Sequence, residues 1–130
     1  MTALEATIRG RLAAEALMLD ACTITRPGEV VTDPNTGDVT NTSTTVYSGK
    51  CKVQSKDSAT SSPEAGEATF TVVSRQVHIP ANAADVRDGD VVTITAARLN
   101  AFTVGKQYRV SGFTPDTFDT AARLPVKEIL

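Results

Sequence analysis

Tryptophan is absent from these 130 residues, histidine occurs once and cysteine twice. Each scarcity excludes something. Aromatic residues amount to only 5%, so a core has to be built chiefly from Val, Ile, Leu and Ala. Cys22 and Cys51 are too few for a disulfide framework, and they read as reduced, buried small hydrophobes of a cytosolic protein. With His78 they are the whole Cys/His supply, no two of them close in sequence, so a tetrahedral zinc site lacks ligands. Nucleophilic catalysis needs a Ser or Cys with a base beside it, and a lone His78 on an alternating strand reads as an ordinary part-buried side chain. Cationic excess is missing as well: 13 Lys and Arg against 15 Asp and Glu leave a net charge of −2, both signs scattered. That argues against a protein held on DNA by a basic face. No apolar run approaches a membrane span, and Glu5, Arg9 and Arg11 interrupt the segment where a signal peptide needs continuous apolarity. A Gly-rich phosphate loop is also missing.

What is present suffices for one domain over residues 1–130. Hydrophobic residues make up 41%, and a chain of this length buries enough surface to fold without staples. Thr and Val are abundant, and both favour strands because their branched Cβ stiffens χ1.

The first twenty residues read as an amphipathic helix. Thr2 followed by Glu5 is a capping box, each side chain satisfying the other's free backbone N–H. At about 100° per residue, Leu4, Ile8, Leu12, Ala16 and Leu19 fall in a stripe roughly 120° wide. Leu17 lies beyond it with Arg9 and Ala13. Such a helix needs a surface to lie on, its own sheet or a neighbouring chain.

From Ala21 the period becomes two. Cys22 and Ile24 alternate with Thr23 and Thr25 until Arg26-Pro27-Gly28 stops the strand. The run Asp33 to Asp38 closes a hairpin, and Thr40 to Tyr47 reads as a solvated edge strand. After a break at Ser48-Gly49, Lys50 to Gln54 places Cys51 and Val53 on one face and the lysines on the other. Ser55 to Glu67 has no large apolar residue and reads as a mobile loop. Ala68 to Ile79 is a long strand, Asp88-Gly89-Asp90 a tight turn, and Val91 to Ala96 a strand. Phe102 to Val104 is a short strand, and Gln107 to Phe113 returns with Tyr108 and Val110 inward. Leu124 to Leu130 closes the chain. One helix and about seven strands at this spacing predict a mainly β fold, a small barrel or sandwich with an N-terminal helix.

The acidic clusters Asp85, Asp88, Asp90 and Asp33, Asn35, Asp38 lack the alternating oxygens and final Glu of a calcium loop. They read as turn makers that bond local backbone. No metal, cofactor or catalytic residue is assigned. What remains is surface: the helix, the Thr-rich edge strand and the polar loop are features a partner chain can use.

Several runs also resemble a known group. His78-Ile79-Pro80 ends one strand, Val86-Arg87-Asp88-Gly89-Asp90-Val91 turns into the next, and Gly105-Lys106-Gln107-Tyr108-Arg109-Val110 has the form G-x-x-Y-x-V. With the helix leading into Cys22-Thr23-Ile24-Thr25-Arg26, and Thr117 to Arg123 before the last strand, the chain resembles small phage head–tail connector proteins, specifically head-to-tail stopper (head-closure) proteins of long-tailed phages and prophages. The resemblance implies a non-enzymatic virion protein of the head–tail junction, assembled in the host cytoplasm as a homo-oligomeric ring. Its partners would be the portal or adaptor ring, a tail terminator or tail tube, and DNA passing through the channel without sequence-specific binding. It further implies that a loop here matching Ser55, Lys56, Asp57, Ser58, Glu64 and Glu67 faces the channel. Subunit or partner contacts are expected at Leu4, Ile8, Leu12 and Leu17. A tail-terminator or tail-tube subunit, and a monomeric β-barrel module for a ligand or peptide, are the alternatives.

Overall fold

The computed structural model describes residues 1–57 and 73–130. One helix, α1 (Ala3–Ala16), precedes six strands: β1 (Asp20–Thr32), β2 (Val39–Asp57), β3 (Val73–Pro80), β4 (Val91–Ala96), β5 (Gln107–Val110) and β6 (Ala121–Ile129). All neighbours are antiparallel, in the order β1-β2-β3-β6-β5-β4, and β4 pairs back onto β1 to close a barrel. The mainly β fold with a single N-terminal helix matches the sequence reading.

Alternation fixes the interior. Cys22 and Ile24, Cys51, Val77 and Ile79, Val92 and Ile94, Tyr108 and Val110, and Ala122, Leu124 and Val126 point inward and form one buried cluster. Side chains fill the lumen, as in other small barrels.

Where the sequence suggested about seven strands, six are seen among the described residues, and the difference has two physical sources. The break at Ser48-Gly49 is no turn. Tyr47 folds its ring over Gly49, its hydroxyl 2.7 Å from where a Cβ would sit, and donates to the Lys50 carbonyl at 2.7 Å. Two expected strands are therefore one. Phe102 to Val104 is no strand but the end of a short 3-10 turn, capped by Asn100 Oδ1 accepting from the Phe102 N–H at 3.1 Å. Arg26-Pro27-Gly28 does not stop β1 either, because the strand passes through a bulge between Pro27 and Val30. Gly28 is required there, since a Cβ would lie 2.6 Å from the Thr42 carbonyl oxygen.

The expected loop is shortened at its start, because Ser55, Lys56 and Asp57 pair with Arg75, Ser74 and Val73 as the end of β2. Ser58, Glu64 and Glu67 lie outside the described residues. So does the first part of the strand expected over Ala68 to Ile79.

Candidate interaction surfaces

The capping box forms as expected: Glu5 N–H donates to Thr2 Oγ1 at 3.1 Å, and Thr2 N–H to Glu5 Oε2 at 3.2 Å. The helix is shorter than predicted, ending at Ala16 with Leu17 as its C-cap, so Leu19 is not part of its stripe. It is also turned over. Thr7, Gly10, Arg11, Ala14 and Glu15, the small and polar residues at helical spacing, are the half-buried ones. Arg11 Nε donates to the Asp119 carbonyl at 3.1 Å, Glu15 pairs with Lys50 at 3.0 Å, and Gly10 abuts Thr120 so closely that a Cβ would fall 2.6 Å from its methyl. Leu4, Ile8, Leu12 and Leu17 are all exposed. The reason lies beneath the helix, where the Asp119 carbonyl and Lys50 supply partners for its polar face and Thr120 packs against Gly10.

The Arg26–Asp90 pair is a feature that sequence reading missed. Asp90 immediately precedes β4, is 1% exposed, and accepts from Arg26 Nε and Nη2, each at 3.0 Å, and from the Arg87 N–H at 2.9 Å. This fork-on-carboxylate geometry is the strong form of a charged hydrogen bond, and the Asp90 bond raises the pKa of the guanidinium. Arg26 also donates to the Asp85 carbonyl at 2.8 Å. Elsewhere in the two clusters, Asp85 pairs with Arg87 at 2.9 Å, Asp88 bonds distant backbone and Asp33 bonds local backbone. Asp88 accepts from the Gly112 N–H at 2.8 Å, and Asp33 from the Asn35 N–H at 2.8 Å, a bond that lowers the Asp33 pKa. The only sequence signal for the Arg26–Asp90 pair was an arginine at the supposed end of a strand.

His78 is outward on β3, only 7% exposed, and within 3.2 Å of Gln76 Oε1. Lys52 and Arg123 are its direct neighbours across the two adjoining strands. Burial, then these two cations, push its pKa down to about 4, so the ring is neutral at pH 7. The unfolded value is about 6.5, so the folded state binds fewer protons between these values. His78 therefore contributes stability that is complete above pH 6.5 and lost as pH falls towards 4. Because Lys52 and Arg123 reach solvent, we expect a loss of about 1 to 2 kcal/mol over that range. Thermal melts at both ends of it should show a smaller loss for His78→Gln. A His78 ring that titrates near 6.5 by NMR would disprove this.

Cys22 and Cys51 are buried free thiols. The hydrogen bond to Cys22, then burial, raises the Cys51 pKa, so that thiol stays protonated and unreactive. Among the described residues, no three His, Cys, Asp or Glu side chains are placed to hold a metal ion, and no helix is long and apolar enough to cross a membrane.

Beyond the barrel, β1 and β2 continue together. Arg26 to Thr32 pairs with Val39 to Thr44, while β4 reaches only Ala21 to Thr25 and β3 only Lys52 to Asp57. The outer hairpin is thus an arm roughly 20 Å long, with no strand on either edge among the described residues. Val30, Val31 and Val39 on it are exposed. Its tip is firmly built, with Asp33 N–H to the Asp38 carbonyl and Gly37 N–H to the Asp33 carbonyl, both 2.8 Å, and Gly37 at φ +75°.

No match was found among curated proteins or among solved structures. Residues 10–127 match the family model of DUF6093, a family of unknown function, and the chain belongs to that family.

Proposed function

We propose that this chain is a structural subunit of a phage head–tail junction, a ring-forming protein of the stopper type that joins the portal or adaptor to the tail and helps retain packaged DNA. The observation that carries the reading is an imbalance between surface and chemistry. The lumen is filled, the histidine is neutral and covered, and Cys51 is protonated. Meanwhile an apolar helix face and a two-edged arm stand free of the barrel. Exposed apolar side chains on a fixed helix, and unpaired strand edges, are what partner chains recognise. The runs ending at Pro80 and turning at Asp88-Gly89-Asp90, which carried the resemblance to stopper proteins, occupy the end of β3 and the turn before β4. A filled lumen also weighs against a ligand-binding barrel.

The expected result is co-sedimentation of the purified chain with adaptor or tail-terminator rings, with annular density in negative-stain images. A chain that stays monomeric by light scattering, alone and with either ring, would sink the reading. Within the assembly, the free helix face is expected to supply apolar contacts. Ile8→Asp with Leu12→Asp should therefore abolish capture by the ring while leaving the isolated fold intact.

A further inference from the structure

Two surfaces of this chain carry opposite charge, and neither is neutralised by an ion pair among the described residues. The arm from Gly28 to Thr45 contains Glu29, Asp33 and Asp38 and no Lys or Arg. The outward positions of β2, β3, β6 and β5 carry Lys52, Lys56, Arg123, Lys127 and Arg109, and no Asp or Glu. None of these five cations forms an ion pair with a described residue. They are set against one another instead: Lys52 and Arg123 flank His78 in one row, and Lys127 sits directly opposite Arg109 in another. Like charges placed opposite on neighbouring strands are unfavourable, and an anionic partner relieves them.

We infer that the arm of one copy seats on this cationic wall of the next, so that copies join head to tail through two different surfaces. The spacing supports it. Arg123 and Lys127 are four residues apart on β6, as are Glu29 and Asp33 along the arm, and four strand residues span about 13 Å. The arm has its own reason to seek cover, since a two-stranded ribbon with free edges and exposed valines is marginal in water. A heterologous contact of this kind generates a ring when the rotation closes. The inference rests on the ring-forming reading above and gives it an interface.

Charge reversal tests it on the full chain. Glu29→Lys with Asp38→Lys reverses the arm and spares Asp33, whose carboxylate holds the turn. Lys52→Glu, Arg123→Glu and Lys127→Glu together reverse the wall. At low salt and about 0.5 mM, where weak interfaces are populated, the unaltered chain should sediment as dimers and larger species that salt dissolves. Each reversed variant alone should associate at least ~10-fold more weakly, and an equimolar mixture should recover the association. Recovery on mixing also shows that both variants fold. An unaltered chain that remains monomeric under these conditions overturns the inference, as do variants that associate normally or a mixture that fails to recover. A duplex of about 30 base pairs that binds without self-association, and is lost only in the wall variant, would overturn it in favour of a polyanion surface. If rings still form on the adaptor while the reversals have no effect, only the arm-to-wall contact fails. Arm-to-wall association without rings on the adaptor removes the stopper reading and leaves the contact.

Discussion

Replacing Asp90 by alanine is expected to lower the melting temperature by roughly 8 °C or more. The carboxylate is almost sealed from water and has three donors, two from Arg26 and one from the Arg87 backbone. Removing it strands a backbone N–H and leaves a guanidinium facing the hole, which costs more than the bonds themselves are worth. The damage should be local in a telling way. Arg26 is where β1 leaves the barrel, so hydrogen exchange along Arg26 to Thr45 should accelerate more than exchange in β3 or β6. Asp90→Asn keeps acceptors for Arg87 and one Arg26 nitrogen and should lose clearly less. A melt unchanged from the parent chain would mean that the pair carries no structural load.

The second large effect concerns two leucines treated alike. Leu124→Ala, at the middle of β6 and 0% exposed, should cost about 3 to 4 kcal/mol through lost burial and a cavity that the closed barrel cannot collapse around. Leu12→Ala, at 65% exposed, should cost less than about 0.5 kcal/mol in the isolated chain. Urea titrations of both variants with matched m-values decide it. If Leu12→Ala proved as costly as Leu124→Ala, the helix would have to lie with its leucines against the barrel, contrary to the Arg11–Asp119 and Glu15–Lys50 contacts.

These two leucines also show what was legible in the sequence. Alternation identified the inward set correctly at Cys22, Ile24, Cys51, Tyr108 and Val110, because a closed small barrel has one dry side and the period of two is strict. The capping box was legible because it is local. The orientation of α1 was not, since it depends on the outer wall of strands far away in sequence. That wall presents Lys50 and a turn around Asp119, so the polar face of the helix finds partners there and the apolar face is left outside. Glycine misled twice for the same reason. Gly49 and Gly28 read as breaks, yet each is small so that a neighbour, Tyr47 or Thr42, can lie against the strand. The Arg26–Asp90 pair joins residues 64 apart, beyond the reach of any local pattern. The candidate partner surfaces fared similarly: Leu4, Ile8, Leu12 and Leu17 are exposed, whereas the arm appeared in the sequence only as an ordinary hairpin and edge strand.

The seam that closes the barrel joins Ala21–Thr25 of β1 to Val91–Ala96 of β4, segments separated by roughly 70 residues, a long-range closure of the kind that slows folding to milliseconds or longer. Until β4 has been synthesised, β1 has only β2 beside it, and the nascent hairpin exposes the same backbone groups that the finished barrel conceals. A growing chain is therefore most vulnerable to mispairing with its siblings just before its second half arrives. Once the seam shuts, the barrel wall offers no open edge among the described residues, and the arm alone retains two. Timing separates the two kinds of pairing: closure of the barrel withdraws the hazardous edges, leaving only those at which a completed subunit can be joined.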